Sequence, residues 1–190
     1  MICALILAGG EGRRLGGADK ALTRLHGIPL LTCVIARLRD QTDAIAISTR
    51  GDGSRFAAFD CAVVDDGRHR GKGPLAGLHA GLVWAAAARG TALLSVPVDT
   101  PFIPADLARR LHPAPAVAAC GDRVHHLVAL WPVAAIAGKL DAFLDGPGPY
   151  RVADFARSLA MRRVDFDAVS DPFLNINTPE DLARAEARRC

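Results

Sequence analysis

Leu7-Ala8-Gly9-Gly10-Glu11-Gly12-Arg13-Arg14-Leu15-Gly16-Gly17-Ala18-Asp19-Lys20 is the stretch that decides the reading of this chain. Its first residues close an apolar run, Ile2 to Ala8, and a loop of glycines and cations follows. An apolar run ended by glycine reads as a buried parallel strand. A strand that empties into such a loop is how α/β proteins hold phosphate: glycines let backbone N–H groups approach, and cations balance the charge. Two standard phosphate loops are excluded. The dinucleotide fingerprint fails because Gly10-Glu11-Gly12-Arg13-Arg14 continues to Leu15 where a third glycine is needed. The P-loop fails because Gly12 to Gly17 is followed by Ala18-Asp19 instead of a lysine and a hydroxyl residue. Gly67-Arg68-His69-Arg70-Gly71-Lys72-Gly73 has neither spacing.

Outward from this loop, strands and helices alternate. Leu30, Val34, Ile35 and Leu38 fall at helical spacing after Pro29. Ala44 to Ser48 and Ala62 to Val64 read as strands, the second ending in Asp65-Asp66. Leu75 to Ala88 has helix composition, and Thr91 to Val98 is a strand ending at Asp99. Pro104-Ala105-Asp106-Leu107 reads as a helix start with proline in the first turn. Val117 to Cys120 and Val124 to Trp131, around Gly121-Asp122, read as a hairpin inserted before the last helices, and Met161 to Phe166 as a late strand. Thr178-Pro179-Glu180-Asp181 opens a final helix with a threonine N-cap, proline at N1 and acid in the first turn. The expected fold is therefore α/β: a three-layer, Rossmann-like, mostly parallel sheet with helices on both faces and a small antiparallel hairpin. Such sheets bind ligands at the carboxyl ends of their strands, where Gly9, Ser48, Asp66 and Asp99 fall.

The chain has 190 residues, enough for one domain with a sizeable core, read as spanning 1–190. Half of it is apolar and its net charge is +3, too slight for a nucleic-acid binder. The cations instead gather in loops (Arg13, Arg14, Lys20, Arg68, Arg70, Lys72), which suits a small polyanion. The five cysteines form no C-x-x-C pair and read as reduced core residues of a cytoplasmic protein. No stretch approaches membrane-spanning length, and the first apolar run is too short for a signal peptide.

Five motifs occur in order. They are the Leu7–Lys20 loop, Gly27-Ile28-Pro29-Leu30, Gly73-Pro74-Leu75-Ala76-Gly77, Val98-Asp99-Thr100-Pro101-Phe102, and Asn175-Ile176-Asn177-Thr178-Pro179-Glu180-Asp181-Leu182. Together they resemble the sugar-nucleotide-type nucleotidyltransferases and, within them, the molybdenum cofactor guanylyltransferases. The resemblance implies transfer of GMP from GTP to the terminal phosphate of molybdenum-bound molybdopterin, with release of pyrophosphate and with Mg²⁺ as cofactor. It implies nucleotide binding by Leu7, Ala8, Gly9, Gly10, Lys20, Ser48, Asp66 and Asp99, with Asp99 as metal ligand. Catalysis would fall to Arg13, Lys20 and Asp99, with Arg14 able to stand in for Arg13. Acceptor contacts would come from His125, Asn175 and Asn177, and molybdopterin-insertion or molybdoenzyme proteins would be partners.

Two stretches depart from the family pattern. Ser48-Thr49-Arg50 stands where the family has N-x-N, and His125-His126 where it has His-Pro. A serine offers one hydroxyl where an amide offers both a donor and an acceptor. Three alternatives therefore stay open: a cytidylyltransferase, a sugar-1-phosphate nucleotidyltransferase, and a non-catalytic relative that binds nucleotide or cofactor. Each position also has a plainer reading. Lys20 and the Arg13-Arg14 pair could be solvated surface cations, Asp99 a turn aspartate before proline, and His125 an ordinary strand histidine.

Overall fold

The structure is a computed structural model that describes residues 1–9, 19–166 and 171–188. Nine strands are described: β1 (Ile2–Leu7), β2 (Arg24–Leu25), β3 (Ile28–Pro29), β4 (Ala44–Thr49), β5 (Ala62–Asp65), β6 (Ala92–Pro97), β7 (Ala116–Cys120), β8 (Arg123–Pro132) and β9 (Arg162–Phe166). The α-helices among the described residues are α1 (Leu30–Arg39), α2 (Pro74–Ala87), α3 (Leu107–Leu111), α4 (Val133–Asp145), α5 (Val152–Ser158) and α6 (Pro179–Glu186). Seven strands form one sheet in the order β5-β4-β1-β6-β8-β7-β9. β5, β4, β1 and β6 run parallel, β8 is antiparallel to both of its neighbours, and β9 returns parallel to β7.

Burial follows from the period-2 alternation of side chains along each strand. In β1, Ala4 and Ile6 face one side and pack with Leu31, Val34 and Leu38 of α1. Cys3 and Leu5 face the other side and pack with Leu75, Leu78 and Leu82 of α2 and Leu140 of α4. Both faces of the strand are dry, which is why its sequence reads as an unbroken apolar run. Helix α2 lies very close to the sheet because two of its residues lack a side chain. A Cβ at Gly77 would stand 2.3 Å from Ser48 Oγ, and one at Gly81 would stand 2.5 Å from Leu5 Cδ2.

The hairpin read at 117–131 is present, and it belongs to the main sheet: β8 hydrogen-bonds β6, and β7 takes β9 on its far edge. A separate two-stranded antiparallel sheet, β2-β3, folds the segment between Lys20 and α1. One element differs from expectation. The helix after Pro104 begins at Leu107, so Pro104 lies in the preceding turn, where its carbonyl accepts from Leu107 N at 3.2 Å. Asp106 (φ −114°, ψ 17°) is outside helical geometry, which delays the start of α3. At the other end of the chain Thr178 and Asp181 close a capping box on α6, with Pro179 in the first turn.

Candidate active site

The four parallel strands end on one edge of the sheet, and a cleft opens there. Leu7 and Gly9 enter it from β1, Ser48 and Arg50 from β4, Asp66 from β5, and Pro97, Val98 and Asp99 from β6. Lys20 borders it beyond the glycine loop, and Gly73, Pro74 and Gly77 close it from the start of α2. Gly10, Arg13 and Arg14 lie outside the described residues. Ala8 is buried, and its N–H donates to the Ser48 carbonyl at 2.9 Å, tying the end of β1 to β4.

At one end of the cleft Lys20 and Asp99 are paired, with Lys20 Nζ 2.5 Å from Asp99 Oδ2. The same ammonium donates to Asn177 Oδ1 at 2.5 Å. Asn175 Nδ2 donates to Asp99 Oδ1 at 2.9 Å, and the Ile176 N–H donates to the Asp99 carbonyl at 3.0 Å. Ile176 is fully buried against Leu25 and Leu30, which anchors this segment beside β6. The capping box adds to the order: the Asp181 carboxylate accepts from Asn177 N at 2.9 Å and from Thr178 N at 3.0 Å. Asn175 and Asn177 were expected on the acceptor side, and the structure brings them directly onto the Lys20–Asp99 pair. Arg123 reaches the same group, donating to Asn175 Oδ1 at 3.2 Å.

Asp66 lies at the opposite end of the cleft and is 3% exposed. Burial pushes its carboxyl pKa up, against the weaker pull of Arg50 and a hydrogen bond from the Ser48 hydroxyl. Arg50 Nε stands 3.7 Å from Asp66 Oδ2, and its side chain covers Gly9, where a Cβ would meet Arg50 Cγ at 3.3 Å.

A second hollow adjoins the first and shares Pro97 and Leu127 with it. Arg123, His125 and His126 line it, with Val152 and Ala153 of α5 opposite. His125 is buried with its ring 4.8 Å from that of Phe173. Its Nε2 lacks a hydrogen bond, with Asp171 at 3.9 Å. Burial pushes its pKa below the usual imidazole value.

Sequence reasoning assigned no role to Arg50 or Arg55. Arg55 Nε pairs with Asp19 Oδ2 at 2.5 Å and Arg55 Nη2 donates to Thr49 Oγ1 at 2.7 Å, while Asp19 Oδ1 accepts from Ala21 N at 3.0 Å. Arg55 thus holds the turn that presents Lys20. Arg50 had a legible signal, since it follows a parallel strand at the ligand-binding edge. Arg55 had none.

Residues 4–162 match the MobA-like NTP transferase domain. A molybdenum cofactor guanylyltransferase of Acidiphilium cryptum is 63% identical over 187 residues, covering 98% of this chain and 95% of that protein. One from Cereibacter sphaeroides is 51% identical, covering 96% and 94%. This chain belongs to the molybdenum cofactor guanylyltransferase family. The fold agrees with a solved relative, molybdopterin-guanine dinucleotide biosynthesis protein A of Archaeoglobus fulgidus. That structure has a TM-score of 0.72 and 24% identity, with 98% of this chain and 97% of that one covered. As a family member the chain is a nucleotidyltransferase.

Proposed function

We propose that this chain transfers GMP from GTP to the terminal phosphate of molybdenum-bound molybdopterin and releases pyrophosphate. The observation that carries the reading is the Lys20–Asp99 pair, held by Asn175 and Asn177 where the two hollows adjoin. A nucleotide in the first cleft would have its reacting phosphate beside this pair, with the acceptor reaching it from the second.

In this reading an oxygen of the acceptor phosphate attacks the α-phosphorus of GTP. The new P–O bond forms as the bond to the β-phosphate oxygen breaks, and the electron pair leaves with pyrophosphate. The nucleophile is already an anion, so no general base is needed and the work is positioning and charge stabilisation. Lys20 supplies a fixed cation for the charge that develops on the leaving group. Arg13 or Arg14 of the glycine loop would share that charge. Leu7, Ala8 and Gly9 would read the base through their backbone. Ser48 and Asp66 would assist from the ends of β4 and β5.

Asp99 suits Mg²⁺, since it offers a hard carboxylate at a cleft where phosphate oxygens and water would complete the ligand set. When bound, the ion would neutralise triphosphate charge at Asp99. The reaction belongs in the cytoplasm, with the product passed to molybdopterin-insertion or molybdoenzyme proteins. No helix among the described residues is long and apolar enough to cross a membrane.

The test is turnover with Mg²⁺, molybdenum-loaded molybdopterin, and GTP, CTP or ATP in separate reactions, with the dinucleotide identified by mass. Product with GTP alone is the expected result. Product with CTP would move the protein to cytidylyl transfer. Folded protein that binds GTP and yields no product would make it a binding protein.

A further inference from the structure

Where α2 packs beside α4, three donor side chains from separate elements converge. They are His69 in the 3₁₀ turn Gly67–His69, His79 in α2 and Asp141 in α4. Both imidazole Nε2 atoms face the same carboxylate oxygen: Asp141 Oδ1 lies 2.8 Å from His69 and 3.0 Å from His79. The donor atoms all lie within 4.8 Å of one another, and the rings meet edge to face at 86°. His69 is buried, whereas the His79 and Asp141 side chains keep 16% and 35% of their exposure, so the cluster is closed below and open to solvent above. We propose that His69, His79 and Asp141 form a binding site for a divalent transition metal of the Zn²⁺ class, which ties α2 to α4.

The donor set selects the ion. Two imidazoles and one carboxylate match Zn²⁺ and its neighbours, whereas Mg²⁺ takes oxygen ligands. With metal–ligand bonds of about 2.0–2.1 Å, tetrahedral donors stand about 3.3 Å apart. The two observed separations need to open by only about 0.3–0.5 Å to reach that figure. A water would complete the coordination through the open side. The second Asp141 oxygen is already taken by Arg68, with Nη2 to Oδ2 at 2.5 Å, which leaves Oδ1 as the single ligand atom. Each neutral imidazole would ligate through Nε2 and carry its proton on Nδ1. With Nδ1 protonated, Lys72 Nζ at 3.5 Å from it is a second donor and makes no hydrogen bond to it; the Leu144 carbonyl holds that ammonium at 2.5 Å. Arg68 and Lys72 place two cations near the ion, and their repulsion weakens its binding.

This proposal is independent of the guanylyl-transfer reading, because none of its ligands lines the cleft. The experiment uses the full chain, stripped with chelator, and titrates Zn²⁺ against a colorimetric indicator, with thermal melting in parallel. One Zn²⁺ per chain and a rise in melting temperature are expected. His79→Leu and Asp141→Asn, at the two less buried ligands, should each weaken binding by about 100-fold and abolish the thermal gain. Arg68→Gln should tighten it, since Arg68 competes for Asp141. Absence of zinc binding, or equal binding by wild type and both ligand variants, would overturn the proposal.

Discussion

At the scale of single residues, charge in the cleft is arranged by neighbours far apart in the chain. Lys20 meets Asp99 across 79 positions and Asn177 across 157. Lys20→Ala removes the one described cation on this pair. We expect kcat/KM for GTP to fall by about 10²–10³-fold, the usual cost of deleting a group that stabilises developing charge. Steady-state kinetics on protein with an unchanged circular dichroism spectrum is the check, and wild-type kinetics would return Lys20 to the surface. Asp66 behaves differently, because burial raises its pKa. A carboxyl whose folded pKa exceeds its unfolded value stabilises the fold below the unfolded pKa, and that contribution is lost as pH rises through the folded pKa. At neutral pH the buried carboxylate is therefore a net cost. Asp66→Asn should raise the melting temperature at pH 7. The gain should shrink toward pH 4, and a melting-temperature series across pH decides it.

At the scale of elements, the placement of α2 and α6 shapes the cleft. Gly77 and Gly81 both let α2 approach the sheet, but only Gly77 sits over cleft residues, Ser48 and Leu7. Alanine at either position should cost about 1–3 kcal/mol as overpacking. Gly77→Ala should also raise KM for GTP, while Gly81→Ala, pressing on buried Leu5, should leave it unchanged. Equal KM values would mean that α2 does not set the cleft. For α6, Thr178→Ala removes the cap at a cost of about 1 kcal/mol. It also loosens the turn that places Asn177 on Lys20, so kcat should fall further than the loss of stability alone predicts. Combined melting and kinetic measurements separate the two effects. Much at this scale was legible beforehand. The first strand was visible because both of its faces are buried, and α6 because Thr178-Pro179-Glu180-Asp181 carries its own start signal. The start of α3 was not visible, because proline in a turn and proline in a first helical turn look alike in sequence.

For the whole molecule, a ligand held between β1, β4, β5 and β6 couples binding to global stability. GTP at a hundredfold over its Kd should add about 2.7 kcal/mol. That corresponds to a rise of ~5–10 °C in melting temperature for a chain of this length. CTP at the same concentration should add less if the cleft selects guanine, and equal shifts would show that binding does not make the choice. By itself the sequence determined the alternation of strands and helices, the parallel half of the sheet, and the edge where Gly9, Ser48, Asp66 and Asp99 emerge. Those features follow from local apolar periodicity and from the rule that parallel strands end together. Only the tertiary structure decided which residues meet. It turned β8 antiparallel within the main sheet, laid Asn175 and Asn177 on the Lys20–Asp99 pair, set Arg55 on Asp19, and gathered His69, His79 and Asp141. Local pattern encodes which face of an element is buried. Contacts across the sheet depend on the path of the chain between elements, which no short window of sequence contains.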